Sequence, residues 1–93
     1  MKHYIIAKLK ESSRKSELVE PVRTLFEEVL DIPGIHDVTV VPCCNDRPNR
    51  YDLMIIIDMD PSALALYDSS EPHKRWKEQY GELLEKKAIF DCE

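Results

Sequence analysis

The stretch from Arg50 to Met59 limits most strongly what this chain can become. Leu53, Ile55, Ile57 and Met59 recur at period two on one side, while Met54 and Ile56 lie between Asp52 and Asp58 on the other. A strand that is apolar on both sides needs cover on both. The amino-terminal segment Lys2 to Lys10 repeats the pattern, with His3, Ile5, Ala7 and Leu9 on one face and Tyr4, Ile6, Lys8 and Lys10 on the other. Two such strands in 93 residues call for one small sheet with something packed on each side.

The segments between them supply one of the two covers. After Ser12, Ser13 and Ser16, which offer N-caps, Leu18, Val22, Leu25, Phe26 and Val29 recur at the spacing of a helix face. Pro21 lacks the N–H of an interior turn, so the helix is expected to start late, near Glu17, or to kink there. Ile32-Pro33-Gly34-Ile35 stops it and turns the chain into a second strand, Ile35 to Cys43, followed by a polar turn from Cys44 to Asn49. Beyond Met59, Asp60-Pro61 opens a short helix through Leu64 and Tyr67, and Pro72 restarts helix after Asp68-Ser69-Ser70. Trp76, Tyr80, Leu83 and Leu84 are read as one side of a helix running to about Lys86, with a short final strand from Ala88 to Cys92. The order is βαββαβ, an α+β fold with a four-stranded antiparallel sheet in a single domain spanning residues 1–93.

Right-handed crossovers put both helical segments on one face of such a sheet. Tyr4, Ile6, Met54 and Ile56 are then left on the open face, an apolar patch that a second copy of the sheet would cover. Each such side chain contributes roughly 1.5 to 3 kcal/mol when buried, a large share of the stability of so small a domain. A homodimer through the open sheet face is therefore expected.

Other classes find little support. The 18 acidic and 13 basic residues give a formal net charge of -5, and the basic residues are scattered among glutamates, so no nucleic-acid partner is expected. The apolar run at the amino terminus is interrupted by Lys8, too short for a signal peptide or membrane span, which points to a cytoplasmic protein without a membrane partner. Of the three cysteines, Cys43 and Cys44 are adjacent and Cys92 lies near the end, a pattern suited neither to a disulfide framework nor to a metal site. No metal and no cofactor are expected, since phosphate-binding glycine loops and hydrolase or zinc motifs are also missing.

Several segments together resemble the stress-responsive A/B barrel (Dabb) domain family. They are Met1-Lys2-His3-Tyr4-Ile5-Ile6 with its lysine-rich continuation, Ile32-Pro33-Gly34-Ile35, and Arg50-Tyr51-Asp52-Leu53-Met54-Ile55. Ala65-Leu66-Tyr67, Pro72-His73 and Leu83-Leu84 leading to Ile89-Phe90-Asp91 extend the likeness over essentially the whole chain. The resemblance implies a ferredoxin-like fold dimerising through its sheets into an α/β barrel. Members are associated with stress responses, and a plant branch works as polyketide cyclases through a strand-one histidine, a tyrosine ending the second helix and a histidine six residues later. Those positions match His3, Tyr67 and His73. The chain departs from the family at Ser70-Glu71-Pro72-His73, where His-Pro-x-His is common, and at Leu25 and Leu53, where the cyclases carry a tyrosine and a histidine.

The expected site is thus a closed apolar cavity between sheet and helices. Ile5, Ala7, Leu25, Leu53, Ile55 and Trp76 would bind a small apolar ligand, and His3, Tyr67 and His73 would stand at the rim as the candidate catalytic groups. Histidine titrates near pH 6.5 and can exchange protons at neutrality, while a tyrosine, protonated up to about pH 10, can donate to a carbonyl or enolate oxygen. Three readings follow: a dimeric small-molecule-binding protein, a cofactor-independent lyase or cyclase, and a structural oligomer in which these side chains only pack or cap.

Overall fold

A computed structural model describes residues 1–93. Strands β1 (Lys2–Leu9), β2 (Ile35–Pro42), β3 (Leu53–Met59) and β4 (Leu84–Cys92) form one sheet in the order β2-β3-β1-β4, with every neighbouring pair antiparallel. Helix α1 (Lys15–Glu27) connects β1 to β2, and α2 (Leu64–Asp68) with α3 (Glu71–Tyr80) connects β3 to β4. The fold class read from the sequence is the one observed.

The core lies between the sheet and these helices. Ile5 and Ala7 of β1 and Leu53, Ile55, Ile57 and Met59 of β3 pack there against Val22, Leu25, Phe26 and Val29 from α1 and the turn after it. Tyr67 and Trp76 come in from α2 and α3, and the Phe26 and Trp76 rings meet edge to face with centroids 5.1 Å apart. Gly34, at φ +90°, makes the turn into β2, a conformation that L side chains rarely adopt.

Four boundaries differ from the sequence reading. Helix α1 begins at Lys15 and continues through Pro21, which lies on its exposed side, where the Glu17 carbonyl left without an N–H partner can meet water. None of the three serines caps it: the Ser12 hydroxyl donates instead to Asp52 Oδ2 at 2.9 Å. Strand β3 begins at Leu53, because Asp52 is held by long-range bonds: its carboxylate accepts from Leu9 N at 2.8 Å, and its own N–H donates to the Ala7 carbonyl. The largest difference is at the end of α3, which stops at Tyr80; after a 3-10 turn over Gly81–Leu83, β4 starts at Leu84 and pairs with the whole length of β1. The 76, 80, 83, 84 spacing fits a helix face, but pairing with β1 offers the backbone a complete ladder, and Leu84 still reaches the core from its strand position.

Every interior position of β4 is exposed, because the helices cover the β2, β3 and β1 side of the sheet and leave this edge strand bare. That bare edge shapes the candidate site.

Candidate functional site

His3, Tyr67 and His73 come together. The Tyr67 ring stands between the two imidazoles, 5.5 Å from His3 and 4.7 Å from His73 by ring centroids. They line an open cleft of about 280 Å³ between β1 and β4 on one side and α2 and α3 on the other, together with Ile5, Leu64, Trp76 and Ile89.

His3 is held from across the sheet, and His73 by its local sequence. His3 is buried on the helix-facing side of β1, opposite Asp91 in the β1–β4 ladder, and its Nδ1 lies 2.5 Å from Asp91 Oδ1. A carboxylate can only accept, so Nδ1 carries the proton and Nε2 is the ring's free nitrogen. The segment Ser70-Glu71-Pro72-His73 sets the third group. The Ser70 hydroxyl donates to the Tyr67 carbonyl at 2.7 Å and accepts from His73 N at 3.3 Å, so one serine closes α2 and caps α3. Pro72 occupies the first turn of α3, where a missing N–H costs nothing. The His73 ring is steered back so that its Nδ1 donates to the Asp68 carbonyl at 2.9 Å, which again leaves Nε2 free.

Tyr67 is only 1% exposed, yet its hydroxyl has no hydrogen-bond partner. Burial pushes its pKa well above that of an ordinary tyrosine, and the nearby Asp68 charge pushes the same way. The site therefore holds a phenol that is protonated at neutral pH and unpaired, on a ring flanked by two imidazoles whose Nε2 atoms are unprotonated when neutral.

The remaining expected ligand contacts divide. Ile5 and Trp76 line the cleft, whereas Ala7, Leu25, Leu53 and Ile55 are buried in the packed core and do not reach it. The closed apolar cavity is thus corrected to an open cleft of mixed polarity, since side chains from α1 and β3 fill the space between sheet and helices. The sequence reading missed the β4 contribution of Lys87, Ile89 and Asp91. The signal was present: alternation backward from Asp91 puts these residues on one face, and pairing with β1 sets Asp91 opposite His3 and Lys87 opposite Ala7. His36 is exposed, its Nε2 2.9 Å from Asp60 Oδ1, and that carboxylate raises the imidazole pKa. Cys43 is half-buried and Cys44 exposed. No helix is long and apolar enough to cross a membrane.

Solved structures share this arrangement of strands and helices. A dimeric ferredoxin-like protein of unknown function from Bacteroides fragilis superposes with a TM-score of 0.81 at 18% identity, covering 99% of this chain and 93% of that one. It has the ferredoxin-like fold. A dimeric ferredoxin-like protein of unknown function from Thermobifida fusca matches this ferredoxin-like chain with a TM-score of 0.78 at 15% identity, over 96% and 85% of the two chains. A Dabb family protein with a ferredoxin-like fold from Mesorhizobium loti matches with a TM-score of 0.73 at 16% identity, over 99% and 93%. No family model matches the sequence, and neither does any curated protein.

Proposed function

We propose that this protein is a homodimeric stress-responsive A/B barrel domain that binds a small, largely apolar carbonyl compound in the cleft between β4 and the short helices. The observation that carries the reading is the buried, unpartnered hydroxyl of Tyr67, a residue that lines the cleft. A buried donor left unsatisfied costs about 1 to 3 kcal/mol, and a ligand oxygen would relieve that cost. Ile5, Leu64, Trp76 and Ile89 supply apolar surface for the body of the ligand. The homodimer is supported by the apolar open face of the sheet and by the dimeric proteins that share the fold.

Trp76 is the only tryptophan and lines the cleft, so its fluorescence reports occupancy. Titration with hexanophenone, a neutral phenyl ketone, is expected to quench it saturably. Tyr67→Phe should weaken that binding by up to about tenfold, the value of one hydrogen bond to the ketone oxygen. No saturable quenching in the parent would leave the structural-oligomer reading in its place, and an unchanged affinity in the variant would overturn the role given to the Tyr67 hydroxyl.

A second reading, a cofactor-independent lyase or cyclase, is favoured by the two contacts that fix both histidine tautomers. His73 Nε2 would take a proton from the carbon beside the ligand carbonyl, and the electron pair would move onto the oxygen, where Tyr67 donates to the enolate. Attack of that enolate carbon on a second carbonyl of the same molecule would form the new carbon–carbon bond, and the proton held on His73 would return to the resulting alkoxide. Protein-dependent deuterium uptake at the carbon next to the hexanophenone carbonyl, lost in His73→Asn, is the expected sign. Uptake no faster than in buffer would remove this reading.

A further inference from the structure

Beyond Trp76 and Lys87 the cleft adjoins a second hollow of about 230 Å³, lined by these two residues with Lys77, Gly81, Leu84 and Lys86. In a chain of net charge -5, every charged residue lining this hollow is a lysine. Five of the 13 basic residues are held in ion pairs, and Lys77 and Lys87 are among those that enter none. The Lys86 amine lies 5.3 Å above the Tyr51 ring and is engaged there. Lys87, opposite Ala7 in the ladder, is on the helix-facing side of β4 with Ile89 and Asp91 and borders both hollows.

The charges along the cleft are therefore arranged in one direction. Toward α2 it is acidic, with Asp68 at the wall and Asp91 already committed to His3; toward α3 and the start of β4 it is cationic and unpaired. We infer that the ligand is an oxo acid, with its carbonyl oxygen on Tyr67, its hydrocarbon body along Ile5, Ile89 and Trp76, and a carboxylate at the far end held by Lys87 with Lys77 beside it. This inference rests on the binding reading above and adds the substrate class and the residue that selects it. Lys87 acts on specificity, since its charge distinguishes an acid from a neutral molecule of the same shape.

The test compares a homologous series of phenyl ketones carrying a terminal carboxylate with their methyl esters, read by Trp76 fluorescence. In the parent protein the best acid is expected to bind about tenfold more tightly than its ester, the value of one charge-assisted hydrogen bond. Lys87→Met should bring acid and ester to equal affinity, added salt should shrink the preference in the parent, and Tyr67→Phe should weaken acid and ester alike. Equal binding of acid and ester, or a preference that survives in Lys87→Met, would overturn the inference while the carbonyl-binding reading stands. If neither compound nor hexanophenone quenches Trp76, the reading and the inference fall together.

Discussion

Tyr67 shows a conflict between stability and use in a single side chain. Its ring fills core space between His3 and His73, but its hydroxyl is buried with nothing to bind. Removing that oxygen should help the fold: Tyr67→Phe is expected to raise the unfolding free energy by about 1 kcal/mol in denaturant titrations, while weakening ketone binding. A gain in stability with a loss of binding is the trade-off expected of a polar group kept for function. The titration of the phenol gives a second check. Its pKa in the folded protein is raised above the unfolded value of about 10, so ionisation favours the unfolded chain. The stability tied to the neutral phenol is complete below about pH 10 and is lost as pH climbs above it. Alkaline destabilisation should therefore be smaller in Tyr67→Phe than in the parent, and the phenolate absorbance of Tyr67, taken as the difference between the two proteins, should stay absent until the chain unfolds. A difference signal that appears at the pH of an ordinary tyrosine would show that the hydroxyl is hydrated.

Among the elements, the turn that delivers the chain into β2 is held by backbone geometry. Gly34 sits at φ +90°, its carbonyl accepts from Asp60 N at 2.7 Å, and an added Cβ would come within 3.0 Å of the Ala63 side chain. Gly34→Ala is expected to cost about 1 to 2 kcal/mol from the left-handed backbone alone, with more from the contact. Gly81 has helical angles and open space around its Cβ position, so Gly81→Ala should be neutral or stabilise by about 0.4 to 1 kcal/mol. Thermal melts of the two variants check the contrast, and equal effects would contradict the turn geometry. Ile32-Pro33-Gly34-Ile35 was legible as this turn because proline and glycine announce it locally. The alternation in β1 and β3 and the helix face of α1 were legible for the same reason, since local period and burial agree there. The α3-to-β4 boundary was not: Trp76, Tyr80, Leu83 and Leu84 satisfy a helix, and only the long-range ladder to β1 turns Leu84 into strand. That misplaced boundary left Lys87 outside the strand and the β4 wall of the cleft unread. His3, Tyr67 and His73 could be named from the resemblance, but Lys87, Ile89 and Asp91 become cleft residues only once β4 is drawn out along β1.

The sheet, taken whole, has one face satisfied and one face bare. Tyr4 and Ile6 of β1, Met54 and Ile56 of β3, and Ala88 and Phe90 of β4 share the face away from the helices, where Phe90 is 61% exposed and meets Tyr4 with ring centroids 6.4 Å apart. In the proposed homodimer a two-fold axis brings each of these residues into the interface twice. Phe90→Glu therefore removes two aromatic contacts and places two carboxylates in an apolar layer. Losing the burial alone amounts to about 3 to 6 kcal/mol, enough to weaken association by more than about a hundredfold. Sedimentation of Phe90→Glu at micromolar concentration should show a single chain where the parent shows a pair, and Leu66→Lys, exposed on α2, should leave the pair intact. Because the cleft lies on the helix side of the sheet and is built within one chain, the dissociated variant, if still folded by circular dichroism, should keep its hexanophenone quench. Assembly and binding are then separable properties of opposite faces of one sheet. A Phe90→Glu protein that remains paired would show that the apolar face is not where two copies meet.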